Sequence, residues 1–71
     1  MKVKVIVVSA EEAEDGNAEF WCGGDLVAVT IYDEGRLALR IDARPDGSPW
    51  LLDVDSLARA LAEATRQIAA P

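Results

Sequence analysis

The fold is decided by residues 25–42, which read DLVAVTIYDEGRLALRID. In residues 25–32 β-branched side chains recur at every second position, and in residues 36–42 apolar positions alternate with charged or small ones. Both patterns are typical of strands. Between them, Asp33-Glu34-Gly35 predicts a three-residue turn with a bulge, because Gly35 can take a positive φ. The stretch predicts an antiparallel hairpin whose first strand is central in a sheet.

The residues before this hairpin continue the sheet. Residues 2–8 alternate so that Val3, Val5 and Val7 share one face, which predicts a strand. Residues 9–17 are polar and acidic and predict a loop with room for one helical turn. Residues 18–22 predict a short strand or edge segment that Gly23-Gly24 ends.

The residues after the hairpin predict one helix. Arg44-Pro45-Asp46-Gly47 is typical of a turn. Asp53 can cap a helix that begins near Val54 and runs to about Ala69. Its apolar stripe consists of Leu57, Ala60, Leu61, Ala64 and Ile68. The sequence therefore predicts an α+β fold: a three- to four-stranded antiparallel sheet packed against one C-terminal helix, in β-β-β-α order.

Length and composition allow one small core. The 71 residues predict a single domain over residues 1–71. A core of this size seldom supplies more than about 3–5 kcal/mol of stability, so self-association would be a useful supplement. The chain has one cysteine and no histidine. We therefore expect no internal disulfide, no metal site and no cofactor.

Charge and hydropathy restrict the classes of partner. The net charge of −6 repels phosphate backbones and anionic lipid surfaces, so we expect neither nucleic acid nor a membrane as a partner. The apolar run near the N-terminus is far shorter than the roughly 18 residues that a membrane span needs. A single thiol without a secretory signal predicts a cytoplasmic protein. The abundance of Ala, Leu, Val, Asp and Arg is typical of bacterial proteins encoded by GC-rich genomes.

No group of residues predicts catalysis. The carboxylates at positions 11, 12, 14 and 15 are better interpreted as a solvated loop than as a general acid and base. Cys22 has no histidine to activate it, which favours a small, half-buried apolar role. We therefore expect that the protein is not an enzyme.

The two tryptophans fit two interpretations. Trp21 and Trp50 lie beside Gly or Pro at the ends of predicted elements, where tryptophan often anchors an interface. They can equally close the ends of a thin core, and this second interpretation is favoured because so small a domain needs large apolar side chains. If residues 18–22 form a strand, either Phe20 or Trp21 must point outward.

Two arginines suggest a polar patch. Arg36 and Arg40 share one face of the hairpin, and Thr30 and Tyr32 are predicted to lie opposite them. Such a patch could bind a carboxylate or an acidic partner. Alternating charges on a solvated sheet face are common, however, and this simpler interpretation is favoured.

The sequence therefore predicts a non-enzymatic interaction or regulatory module that forms a homodimer through a sheet edge or a helix face. Its candidate interaction surface consists of Trp21, Tyr32, Arg36, Arg40 and Trp50. The alternative is an acidic inhibitor or immunity-type protein that binds a basic partner.

Overall fold

Alternating strands and one amphipathic segment give an antiparallel sheet with a helix on one face. The computed structural model describes residues 1–8 and 17–68, which form four strands and one helix. The elements are β1 (Lys4–Val8), β2 (Asn17–Cys22), β3 (Asp25–Asp33), β4 (Arg36–Ile41) and α1 (Val54–Ile68). The strands lie in the order β1-β2-β3-β4, and each is antiparallel to its neighbour.

This architecture confirms the predicted α+β fold, with four strands described. It also confirms the central position of β3 and the beginning of the helix at Val54. The segment predicted as a short strand or edge is β2, which is an interior strand between β1 and β3. The predicted loop over residues 9–16 and the predicted helix end at Ala69 lie outside the described residues.

The turn between β3 and β4 is shorter than the sequence predicts. Asp33 pairs directly with Arg36, so the turn contains two residues, Glu34 and Gly35, rather than three. Both have positive φ, at 52° and 79°. This is the type I′ geometry that matches the twist of two hairpin strands. The prediction of a three-residue turn was wrong because it assumed a positive φ only at Gly35, whereas Glu34 also adopts one.

A bulge in β3 changes which side chains point toward the helix. Phe20 pairs with Ala28, but the next residue, Trp21, pairs with Leu26, so Val27 is an extra residue in β3. Val27 and Ala28 are consequently both buried. From this point to the end of β3, the even-numbered residues point toward the helix.

One aromatic side chain dominates the core. Phe20 and Val27 are the largest fully buried side chains, and Phe20 is only 1% exposed. The other buried members of the core cluster are mostly small: Val3, Ala18, Cys22, Ala28, Ala60 and Ala64. The alanines of β2 and α1 allow the helix to approach the sheet closely around the phenyl ring.

The beginning of α1 is fixed by its cap and by the N-terminus. The Asp53 carboxylate accepts a hydrogen bond from the backbone N–H of Ser56 at 2.9 Å, as expected of an N-cap. This bond and the Ser56 hydroxyl lower the pKa of Asp53. The Asp53 N–H donates to the carbonyl of Met1 at 2.7 Å, and the Val3 N–H donates to the Ser56 hydroxyl at 2.9 Å.

Within residues 1–8 and 17–68, no helix is both long and apolar enough to cross a bilayer.

Candidate interaction surface

The sheet has two different faces. On β2, Ala18, Phe20 and Cys22 are buried beneath α1, and we call their side of the sheet the helix face. Glu19 and Trp21 point to the opposite side, which we call the open face. Paired residues on antiparallel strands share a face, so the register assigns every other strand residue to one face or the other.

The helix covers only half of the helix face. It packs against β1 and β2, so Tyr32, Leu39 and Ile41 on the far half are exposed by 45%, 36% and 62%. Leu61 on the facing side of α1 is exposed by 37%. We call Tyr32, Leu39, Ile41 and Leu61 the apolar strip. A cleft of about 120 Å³ lies between β4 and α1. Leu39 and Leu61 of the apolar strip line this cleft, together with Leu37 and Ala64.

The backbone of β4 has unpaired groups along its outer side. In the part of the chain that the structure describes, no strand lies beyond β4. The Asp42 N–H donates to the carbonyl of Val27 on β3 at 2.8 Å. Backbone groups alternate in direction along an antiparallel strand, so those of Ala38 and Arg40 also point toward β3. The N–H and C=O groups of the odd-numbered residues of β4, at positions 37, 39 and 41, therefore point away from the sheet.

The other outer strand, β1, has contacts at its beginning. The Ser56 hydroxyl accepts from the N–H of Val3, and the terminal ammonium of Met1 donates to the carbonyl of Leu51 at 2.8 Å. The segment before α1 therefore lies alongside the first residues of the chain. Four of the six residues of β4 are exposed, against two of the five residues of β1, so β4 is the more exposed of the two outer strands described.

The structure brings three of the five predicted surface residues to one face. Trp21, Arg36 and Arg40 all point to the open face. The Trp21 ring is half-buried, and its indole N–H donates weakly to Glu19 at 3.4 Å. Arg40 forms an exposed ion pair with Asp42 at 3.2 Å. These residues lie on the same face, but the bonds of Trp21 and Arg40 go to residues on or just beyond their own strands and do not join the three side chains.

The predicted pairing of this patch is wrong. Thr30 and Tyr32 pair with leucines of β4 on the helix face, whereas Arg36 and Arg40 point to the open face. The cause is the turn, because a three-residue turn would have placed Tyr32 opposite Arg36. In the structure Asp33 occupies that position instead. Thr30 is buried, and its hydroxyl accepts from an N–H of β2 at 2.8 Å.

Trp50 anchors the segment that follows β4. Its indole N–H donates to the carbonyl of Asp42 at 2.8 Å. The guanidinium of Arg44 lies over the ring, 5.4 Å from its centroid, which is a favourable cation–π distance. The half-buried ring also packs against the core cluster. These contacts tie Trp50 to the end of β4, at Asp42, the residue that also forms the ion pair with Arg40.

Two of the described carboxylates bind neighbouring groups of the chain. Hydrogen bonds from the Ser48 side chain and backbone lower the pKa of Asp46, and hydrogen bonds from Arg66 and Gln67 lower the pKa of Glu63. Within residues 1–8 and 17–68, no three His, Cys, Asp or Glu side chains come together in a way that could hold a metal ion.

Sequence reasoning missed Leu39 and Ile41 as members of an exposed apolar surface. Leu39 and Ile41 have the alternation of core residues, and only the position of the helix shows that they are not covered. Comparison of the chain with protein-family models, with curated proteins and with solved structures finds no match.

Proposed function

We propose that this chain is a non-enzymatic interaction module that forms a homodimer by pairing β4 with β4 of a second copy. One observation carries the proposal: an outer strand with outward backbone donors and acceptors lies directly beside the apolar strip. Such an edge is a template for another strand, because pairing satisfies a row of backbone groups at once.

The contiguity of the apolar strip supports association. Single exposed apolar side chains are common on monomers, but contiguous ones mark surfaces that another molecule covers. Tyr32, Leu39 and Ile41 lie on adjacent strands of the same face, and Leu61 lines the cleft together with Leu39. The core of this small domain is built mainly from one phenylalanine and several alanines, so further apolar burial would add to a modest stability.

The order of charges along β4 favours a second copy of this chain over an unrelated acidic protein as the partner. Arg36 begins β4 and Asp42 directly follows it. An antiparallel pair of identical strands brings the beginning of one strand beside the end of the other. Opposite charges therefore meet at both ends, which makes the strand self-complementary despite the net charge of −6.

The proposal includes a cytoplasmic location in a bacterium. A single cysteine supports a reducing compartment, and Cys22 is buried in the core rather than presented for pairing. The amino-acid usage supports the bacterial origin. The alternative of an acidic inhibitor stays a prediction. Three of the described carboxylates, those of Asp46, Asp53 and Glu63, bind neighbouring groups of the chain itself, which does not favour this alternative.

Ile41→Lys is expected to weaken the homodimer at least about tenfold. This corresponds to roughly 1.4 kcal/mol, less than the free energy of burying one isoleucine, and the change occurs in both copies. The measurement is sedimentation equilibrium from low to high micromolar concentration. Leu51→Lys is the matched control, because Leu51 is 73% exposed and is not part of β4 or of the apolar strip. A wild-type monomer throughout, or equal weakening by both substitutions, would contradict the proposal.

A further inference from the structure

We infer that the two copies pair β4 in one specific register, with Leu39 of one copy opposite Leu39 of the other. This inference rests on the proposed homodimer and adds its geometry. It follows from the direction of the backbone groups and from the order of charges along β4.

Backbone geometry reduces the number of possible registers. Only the odd-numbered residues of β4 direct their N–H and C=O groups outward, so only odd-numbered residues can exchange hydrogen bonds with the second copy. Paired residues also share a face, so the helix faces of both copies lie on the same side of the joined sheet. The three registers that pair most of residues 36–42 have their symmetry axis at Ala38, at Leu39 or at Arg40.

The register centred on Leu39 is complementary throughout. It places Leu37 opposite Ile41 on the helix face, so the apolar residues of the two copies meet. On the open face it places Arg36 opposite Asp42 of the second copy, at both ends of the interface. Arg40 lies opposite the small Ala38. Opposite charges on directly facing strand residues stabilise the pair.

The two neighbouring registers bring like charges together. The register centred on Ala38 places Arg36 opposite Arg40 twice, and the register centred on Arg40 places two copies of Arg40 opposite each other. Like charges at directly opposite positions are destabilising. Registers displaced further in either direction pair fewer of residues 36–42. The charge order therefore selects the register centred on Leu39.

This register would also make a continuous apolar floor. The strips of the two copies adjoin across β4, between two helices that lie over the outer halves of the joined sheet. Leu39 of each copy lies at the centre of this apolar floor, opposite Leu39 of the other copy. The surface is complete only when both copies contribute to it.

Cysteine cross-linking distinguishes the registers. In the register centred on Leu39, residue 38 of one copy faces residue 40 of the other at a non-hydrogen-bonded position, where Cα atoms are about 4.5 Å apart. A disulfide fits this separation. We expect a mixture of the Ala38→Cys and Arg40→Cys variants to form the mixed disulfide under mild oxidation, and each variant alone to form far less. Mass spectrometry separates the products, because the two variants differ in mass.

The other outcomes have separate meanings. A disulfide in Ala38→Cys alone, or in Arg40→Cys alone, would overturn the inferred register and leave the homodimer intact. A dimer in sedimentation that forms none of these disulfides would overturn pairing through β4. A monomer in sedimentation would overturn the proposed function itself. Wild-type protein is the control for Cys22, which is buried and is expected to stay reduced.

Discussion

Phe20→Ala is expected to leave the chain largely unfolded at 25 °C. Phe20 is one of the two largest fully buried side chains, and the residues around it are mostly small. Truncating a buried phenylalanine costs about 3–5 kcal/mol, because the apolar contacts are lost and a cavity remains. That cost equals the whole stability expected of a core of this size, about 3–5 kcal/mol. Circular dichroism during urea unfolding, at one fixed protein concentration, measures the effect.

The adjacent residue provides a matched control. Trp21 has the larger side chain but points to the open face and is only half-buried. Trp21→Ala is therefore expected to keep a cooperative unfolding transition with a smaller loss of stability. If Phe20→Ala unfolds with the wild-type midpoint, or if Trp21→Ala is the more damaging change, the described core is wrong.

Leu39→Pro is expected to abolish most self-association without unfolding the chain. The Leu39 N–H points away from the sheet, so proline there removes no hydrogen bond to β3. In the homodimer the same N–H would donate to the second copy, and the substitution removes that bond from both sides of the axis. Two hydrogen bonds at about 1 kcal/mol each correspond to a roughly thirtyfold weaker dimer. Sedimentation equilibrium measures the dissociation constant, and circular dichroism checks the fold.

The neighbouring position tests the direction of the backbone. The Arg40 N–H points toward β3, where Arg40 pairs with Val29. Arg40→Pro should therefore lower the thermal midpoint strongly, whereas Leu39→Pro should lower it much less. Equal loss of fold in the two variants would contradict the alternation that places the odd-numbered residues on the outer edge.

Local patterns were enough to predict the class of the fold. The two-residue period predicted β1, β3 and β4, and the Asp53 cap predicted the beginning of α1. These elements follow from neighbouring residues alone, because side-chain alternation and capping are local properties. The interior position of β2 depends on pairing with strands on both sides, which its short sequence does not show.

The predicted polar patch failed because of one residue in a turn. Glu34 adopts a positive φ of 52°, which is uncommon for a residue other than glycine. This shortens the turn by one residue and places Tyr32 on the face opposite to Arg36 and Arg40. In a strand a shift of one residue exchanges the two faces, so a small local error placed Thr30 and Tyr32 on the wrong face relative to the arginines.

The exposure of the apolar strip follows from how many strands one helix can cover, which no local sequence pattern shows. A helix is about 10 Å wide and strands lie about 4.8 Å apart, so one helix covers about two strands. The described sheet has four, and α1 lies over β1 and β2. Leu39 and Ile41 therefore resemble core residues in the sequence but remain exposed in the single chain.

The most direct test of β4 pairing is amide hydrogen exchange of Leu39 and Arg40, followed by NMR at a low and a high protein concentration. We predict that the Arg40 amide is protected at both concentrations, because it points toward β3. We expect the Leu39 amide to exchange rapidly in the dilute sample and to become protected when the homodimer forms. A Leu39 amide that exchanges rapidly at both concentrations would contradict the proposed homodimer through β4.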